Sequence, residues 1–265
     1  MSYNYLPLDK KPLFFDQVVN LLDYDQLVSI TFDAHEQILY CRDYLDKKIA
    51  AGNLLQDINA SDNKAFDTNK IATIQQQLIV SYAFAEGIEI PKAIVKLTLM
   101  LKIKSLSYGK SGIDIETVKR LMEMYNNDMF PVLFSDGGFN DKAILSQLAL
   151  PLIGLGTVNF QGNKMPAAAA LAKQNWQALT LKSKEAIAVI SGHQFTNAYG
   201  LYYAKQAIQS NLMEEVLAEK VLSVLMNAAN TASDAIIIDA QKGAFTYQTV
   251  DNVDLVAAIQ LIPQI

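Results

Sequence analysis

A chain of 265 residues, 51% hydrophobic and 18% charged, holds ample apolar material for a large core and reads as a globular protein. A net charge of −5 with no Lys/Arg cluster lacks the basic footprint that a nucleic-acid backbone requires, and Cys41, the only cysteine, excludes an internal disulfide and cysteine-based metal clusters. The opening MSYNYLPLDKK is polar where a secretory signal needs an apolar core, and the most apolar run, 143–156, is broken by Pro151 and Gly154, so a cytoplasmic protein with no membrane partner is expected.

The hydrophobic periodicity is helical nearly throughout, which predicts an all-α fold. The first clear helix starts near Asp33, carries Ala34, Ile38, Cys41, Leu45 and Ile49 on one stripe, and ends near Gly52. A polar loop over 53–69 follows. Asp67 or Thr68 can cap a second helix, with Ile71, Ile74, Leu78 and Ser81 on one side and Gly87 as its stop. Pro91 opens a third, from Ile94 to about Leu106, apolar enough to be buried on most sides. A shorter amphipathic helix spans Ile115 to Tyr125, and loops with Pro131, Gly137 and Gly138 lead into a helix from Ala143. Pro166 opens an alanine-rich helix, and Ser183 can cap a long helical stretch to about Ala229, as one rod or two stacked pieces. AIIID at 235–239 is a β-prone or buried run, and 251–265 predicts a closing amphipathic helix. No repeat or linker marks a boundary, so one domain over 1–265 is expected, with a helix and loop region at 1–70, a core at 71–235 and a C-terminal segment at 236–265.

Four segments carry a resemblance. PVLFSDGGFNDKAILSQLALPLIGLG, from Pro131 to Gly156, aligns without a gap to P-x-x-G-S-V-G-A-S-G-D-L-A-P-L-S-H followed by an A-L-P-L-I-G-x-G stretch. Matches fall at Pro131, Ser135, Gly137, Asp141, Ala143, Leu145 and Ser146, then from Ala149 through Gly154 and at Gly156. IQQQLIVSYA at 74–83 resembles L-Q-x-N-L-I-x-S-H-A, LKIKSLSYGKSGI at 101–113 resembles R-x-N-x-L-A-x-G-x-S-G, and SKEAIAVISGHQ at 183–194 resembles x-K-E-G-L-A-L-I-N-G-T-Q. In order and spacing the chain resembles the N-terminal half of the aromatic amino acid ammonia-lyases of the histidine ammonia-lyase type, which implies a helical bundle. The resemblance weakens after about residue 235.

The same resemblance implies that the chemistry is missing. The family builds its electrophile, a methylidene-imidazolone, from Ala-Ser-Gly: the glycine nitrogen attacks the alanine carbonyl, and dehydration removes the serine hydroxyl. Those positions are Gly138, Phe139 and Asn140. Phenylalanine has no β-hydroxyl to lose, and Asn140 adds a Cβ at the attacking residue, so no such cofactor is expected. The motif Y-G-x-N-T-G-F-G aligns with 56–63, keeping Asn59 and replacing the base tyrosine by Gln56, whose amide is no proton acceptor. The histidine of S-H-A is Tyr82 and the asparagine of N-G-T is Ser191. The matched motifs imply that the Gln56 loop, Tyr82, Phe139 and Ser191 converge, with His193, at the threonine of N-G-T, as a pocket candidate. Family members are about twice as long and complete their sites with second-half residues from neighbouring subunits.

Other features read more plainly. His35 and His193 have no partner at metal-ligand spacing, so no metal site is expected, and ordinary structural or surface roles stand beside the pocket role of His193. Tyr82 and Phe139 either line an aromatic pocket or fill core. Asp57, Asp62 and Asp67 read as a solvated acidic surface, with cation binding the sharper alternative. Two function classes stay open: a catalytically inactive homologue acting in assembly or regulation, as a homo-oligomer or on a full-length lyase, and an altered lyase or small-molecule binder using the remodelled pocket.

Overall fold

The computed structural model describes residues 5–52, 70–84 and 86–263. Its architecture is mostly helical, as expected, with short strands of two to four residues, of which the sequence reading pointed only to the run at 235–239. An N-terminal strand β1 (Tyr5–Leu8) pairs in parallel with β2 (Leu27–Ile30), and between them lies a helix that the sequence reading passed over, α1 (Phe15–Asp23). Its first turn is closed by the Gln17 side chain, which accepts from the Phe14 backbone N–H at 2.9 Å, and Val18 and Leu21 face inward.

The helix expected from Asp33 is α2 (Phe32–Ala50), capped by the Thr31 hydroxyl, which accepts from the Ala34 N–H. The next, α3 (Ile71–Tyr82), ends before Gly87. That glycine is no helix stop: at φ +97° it lies so close to the Ser135 backbone that a Cβ would stand 2.1 Å from the Ser135 oxygen. The approach lets β3 (Ile88–Glu89) pair with β5 (Phe134–Ser135). The expected caps at Asp67 and Thr68 lie outside the described residues.

The centre of the molecule is α4 (Lys92–Leu106), buried at every residue from Ile94 to Leu106. Each fully buried leucine or isoleucine contributes about 1.5–3 kcal/mol, but three lysines share that interior and need partners. Lys96 meets the Asp25 carboxylate at 2.6 Å, Lys102 donates to the Ser191 carbonyl at 2.6 Å, and Lys104 donates to the carbonyls of Asp9 and Lys11. The central helix thus fastens the N-terminal layer on one side and the site on the other.

Around it stand α5 (Ile115–Asn126), α6 (Asp141–Ala149) with a 310 turn at Leu150–Ile153, and α7 (Ala167–Lys173) after Pro166. A small antiparallel sheet of β4 (Met129–Pro131), β6 (Thr157–Phe160) and β7 (Asn163–Pro166) closes one end. The stretch expected as one rod or two pieces is three helices: α8 (Glu185–Ile190), α9 (Gln194–Gln209) and α10 (Glu215–Ala229). Gly192 at φ +126° forces the first break and Asn211 at φ +54° marks the second.

Ser183 does not cap α8. Lys184 precedes that helix in a left-handed conformation, and the Glu185 carboxylate accepts from the Lys182 and Asp114 N–H groups and the Thr117 hydroxyl. The matched Lys-Glu pair is therefore structural in this fold. After α10, the β-prone run forms β8 (Ile236–Asp239), antiparallel to β9 (Ala244–Tyr247), and α11 (Val253–Gln260) closes the chain. Ile236 and Ile238 alternate inward against Cys41, Leu45 and Ile187, a small core beside the main one. No helix among the described residues is long and apolar enough to cross a membrane.

Candidate functional site

The loop before α6 is organised by its own side chains. The Ser135 hydroxyl accepts from the Gly137 N–H and donates to the Gly138 carbonyl, while the Asp136 carboxylate accepts from the Gly138 N–H at 2.9 Å. Asn140 is the N-cap of α6, its side-chain oxygen accepting from the Ala143 N–H at 3.2 Å. Between them, Phe139 turns its ring into the fold, edge-on to Tyr199 at 5.1 Å and tilted against Phe195 at 6.4 Å. Phe139 thus finds its aromatic partners on α9 instead of Tyr82.

Asp141, matched in the motif, is buried behind this loop. It accepts from the Thr196 backbone N–H at 3.0 Å and from the Thr196 hydroxyl, and the Asn252 amide reaches it at 2.8 Å. Burial pushes its pKa above the usual carboxylate value, against the lowering effect of those hydrogen bonds. Asn252 also reaches the Phe139 carbonyl at 2.9 Å and the Thr196 hydroxyl at 2.8 Å. One amide from the C-terminal segment thus ties the loop, α6 and α9 together.

Two adjoining cavities open beside this knot. The larger, about 470 Å³, has Tyr82, Lys142 and Ser191 in its wall, and the second, about 450 Å³, has Phe139, Asn140, Lys142 and Ser191. Lys142 and Ser191 belong to both, so Tyr82, Phe139, Asn140 and Ser191 lie around one region. Gly138 sits in the exposed turn before Phe139 and lines neither cavity. Gln56 and Asn59 lie outside the described residues, as do Asp57, Asp62 and Asp67. His193 lines neither cavity: its Nδ1 lies 3.2 Å from the Ser233 hydroxyl, and burial holds its pKa below the ordinary imidazole value. Among the described residues no cluster of histidine, cysteine and carboxylate side chains could hold a metal ion.

Sequence reasoning missed two residues here. Lys142 stands where the quoted motif has leucine, a signal that was available; its ammonium lies 3.7 Å from the centroid of the Tyr82 ring. Asn252 lies beyond the matched segments, and the packing of α11 against α9 and α10 brings it in. The C-terminal segment also supplies Tyr247, Gln248 and Thr249 to the larger cavity and Val250 and Asp251 to the second.

The residues at the tripeptide positions do not fit the cyclised group. Phe139 offers no hydroxyl, its ring is engaged by two aromatic neighbours, its carbonyl is within reach of Asn252, and Asn140 is engaged in capping.

The chain is matched over residues 13–248 by the family model for the aromatic amino acid lyases. It is 30% identical over 241 residues to a histidine ammonia-lyase of Deinococcus radiodurans, covering 88% of this chain and 43% of that protein. A histidine ammonia-lyase of Yersinia enterocolitica is 34% identical over 187 residues, 67% of this chain and 37% of that protein. The chain thus spans less than half the length of these curated relatives. In fold it is similar to the histidine ammonia-lyase of Trypanosoma cruzi, with a TM-score of 0.84 over 97% of this chain and 64% of that one at 19% identity. A Pantoea agglomerans phenylalanine aminomutase gives 0.81 over 92% and 66% at 17% identity. With the model matched across most of its length and the quoted motifs laid out on the shared fold, the chain belongs to the aromatic amino acid lyase family.

Proposed function

We propose that this chain is a family member that does not eliminate ammonia and that acts by association or binding instead of turnover. The observation that carries this reading is Phe139: the position that must lose a hydroxyl to form the electrophile holds a phenyl ring packed against Phe195 and Tyr199. Two further replacements support it. Gln56 stands at the base position, and an amide has no useful proton affinity. Ser191 stands at the asparagine of N-G-T, and its carbonyl accepts from Lys102. The role proposed is assembly or regulation, as a homo-oligomer or on a full-length lyase.

Incubation of the purified chain with histidine, phenylalanine or tyrosine tests the loss of chemistry, because urocanate and cinnamates absorb strongly in the ultraviolet. No product above the enzyme-free control is expected. Product that scales with protein concentration and survives repurification would overturn the reading. Gel filtration with and without a full-length lyase of the same organism tests the association, with a shift in elution volume as the expected outcome.

A further inference from the structure

A separate cavity of about 410 Å³ lies in the N-terminal layer, where Lys104 leaves α4 toward Asp9 while Lys102 turns to Ser191. Its volume falls within the range of about 300–1,000 Å³ common for small-molecule sites. Lys104 is 1% exposed, and its three protons go to neutral oxygens: the carbonyls of Asp9 and Lys11 and, at 3.1 Å, the Tyr108 hydroxyl. The motif that 101–113 resembles has asparagine at this position, so the buried charge is a departure of this chain. Burial lowers the Lys104 pKa to about 8, which leaves the amine protonated at neutral pH. A buried ammonium held by carbonyl and hydroxyl dipoles gains from an anion brought beside it.

The rest of the wall favours the same sign. Lys11 brings a second ammonium, and the Asp9 carboxylate, which opposes the two, is engaged by the Lys11 N–H at 2.7 Å. Gln17 and Thr31 use their side-chain oxygens to accept from the Phe14 and Ala34 N–H groups, and among the described residues their own protons have no acceptor. Phe14, 65% exposed, and Pro12 give the cavity an apolar rim. Two cations, an amide and a hydroxyl are more than the two oxygens of a carboxylate can use. A phosphate monoester offers three oxygens and a charge of about −1.5 to −2 at neutral pH.

We propose that this cavity binds a small phosphate monoester, with its phosphate among Lys11, Lys104, Gln17 and Thr31 and an apolar body against Phe14 and Pro12. The proposal goes beyond the loss of ammonia elimination and uses none of the residues around Phe139. Failure of one leaves the other untouched.

The test is isothermal titration of the full chain with phenyl phosphate, phenyl sulfate, phenol and inorganic phosphate. Phenyl phosphate is expected to bind at least about tenfold more tightly than each of the other three, with an affinity that falls as salt is raised. Lys11 and Phe14 are exposed, so K11M and F14A are expected to fold. K11M should weaken phenyl phosphate about tenfold, and F14A should weaken it while leaving inorganic phosphate unchanged. K142M, in the cavities beside Phe139, should leave phenyl phosphate unchanged and so reports where the probe sits. Phenyl sulfate, phenol or inorganic phosphate binding as tightly as phenyl phosphate would overturn the proposal. So would an unchanged affinity in K11M or F14A, a weakened one in K142M, or no binding of phenyl phosphate at millimolar concentration.

Discussion

The side-chain amide of Asn252 lies 2.9 Å from the Phe139 carbonyl and 2.8 Å from the Asp141 carboxylate, so the last helix of the described chain is fastened to the loop from which the family builds its electrophile. Asn252 is also the residue from which α11 starts. Removing the amide takes a donor from a buried carboxylate and releases the cover over both cavities. Asn252→Ala is expected to lower stability by about 1–3 kcal/mol and to speed proteolytic cleavage between β9 and α11. A urea midpoint equal to that of the unmodified chain would show that the cover is held by apolar packing alone.

Repair of the tripeptide is expected to leave the chain inactive. Gly138→Ala with Phe139→Ser and Asn140→Gly restores a hydroxyl and a flexible glycine, but it removes the α6 cap, worth about 1 kcal/mol, and the Phe139 ring from its aromatic cluster. Gln56 still stands at the base position. Groups that act together in one step are not additive, so restoring one of them recovers little rate. Intact mass spectrometry checks the first half of this argument and the ultraviolet assay the second: no loss of water from the unmodified chain, and no urocanate or cinnamate from the repaired one. Product from the repaired chain would mean that the other replaced positions still support elimination.

How far the sequence could be read follows the length of each signal. The long helices were legible, because Ile38, Cys41 and Leu45 or the unbroken run of α4 repeat over several turns. Apart from the β-prone run of β8, the strands were not: β3 and β5 have two residues each, too few for alternation to show, and they form because Gly87 allows two backbones to meet. The extent of α8 was misjudged for a related reason, since the break rests on the extended backbone of Ser191 and the positive φ of Gly192 inside a pattern that stays helical on both sides. At the site, Phe139 and Ser191 could be placed by motif, while Asn252 could not, as its role depends on tertiary packing of a segment outside every matched block. Lys142 was within reach, standing in a motif position where a leucine is expected.

The buried pair of Lys184 and Asp234 joins α8 to the start of the C-terminal hairpin at 2.8 Å, with side chains 0% and 4% exposed. Asp234 also accepts from the Ile236 N–H, so its carboxylate sets the entry into β8. Asp234→Asn takes away a charge that faces a buried ammonium and is expected to destabilise the fold by about 3–5 kcal/mol. Adding Lys184→Met removes the stranded charge, and the double variant should be less destabilised than the sum of the two single variants. Strict additivity of the three denaturation midpoints would show that the two side chains do not interact in the folded chain.

Lys102 is a fully buried amine of α4 that donates to the Ser191 carbonyl. Burial pulls its pKa down to about 7, with Lys184 acting in the same direction and Asp234 and Asp141 opposing. In the unfolded chain a lysine titrates near 10.4. Between pH 7 and 10 the unfolded chain therefore holds a proton that the folded chain has released, and stability from this group rises with pH by up to about 1.4 kcal/mol per unit. Below pH 7 both states are protonated and the folded state carries the full cost of a buried ammonium. Lys102→Met removes that cost and with it about 1 kcal/mol of hydrogen bonding to Ser191. The variant should be more stable than the unmodified chain at pH 6–7, and its advantage should shrink steadily toward pH 9. Lys104, whose pKa is lowered to about 8, adds a slope of the same sign, but it is present in both proteins and cancels in the difference. Urea midpoints at pH 6, 7, 8 and 9 measure that difference directly. A constant gap across the series would mean that Lys102 keeps its proton inside the fold, and that the Ser191 carbonyl and the distant carboxylates stabilise the charge better than burial opposes it.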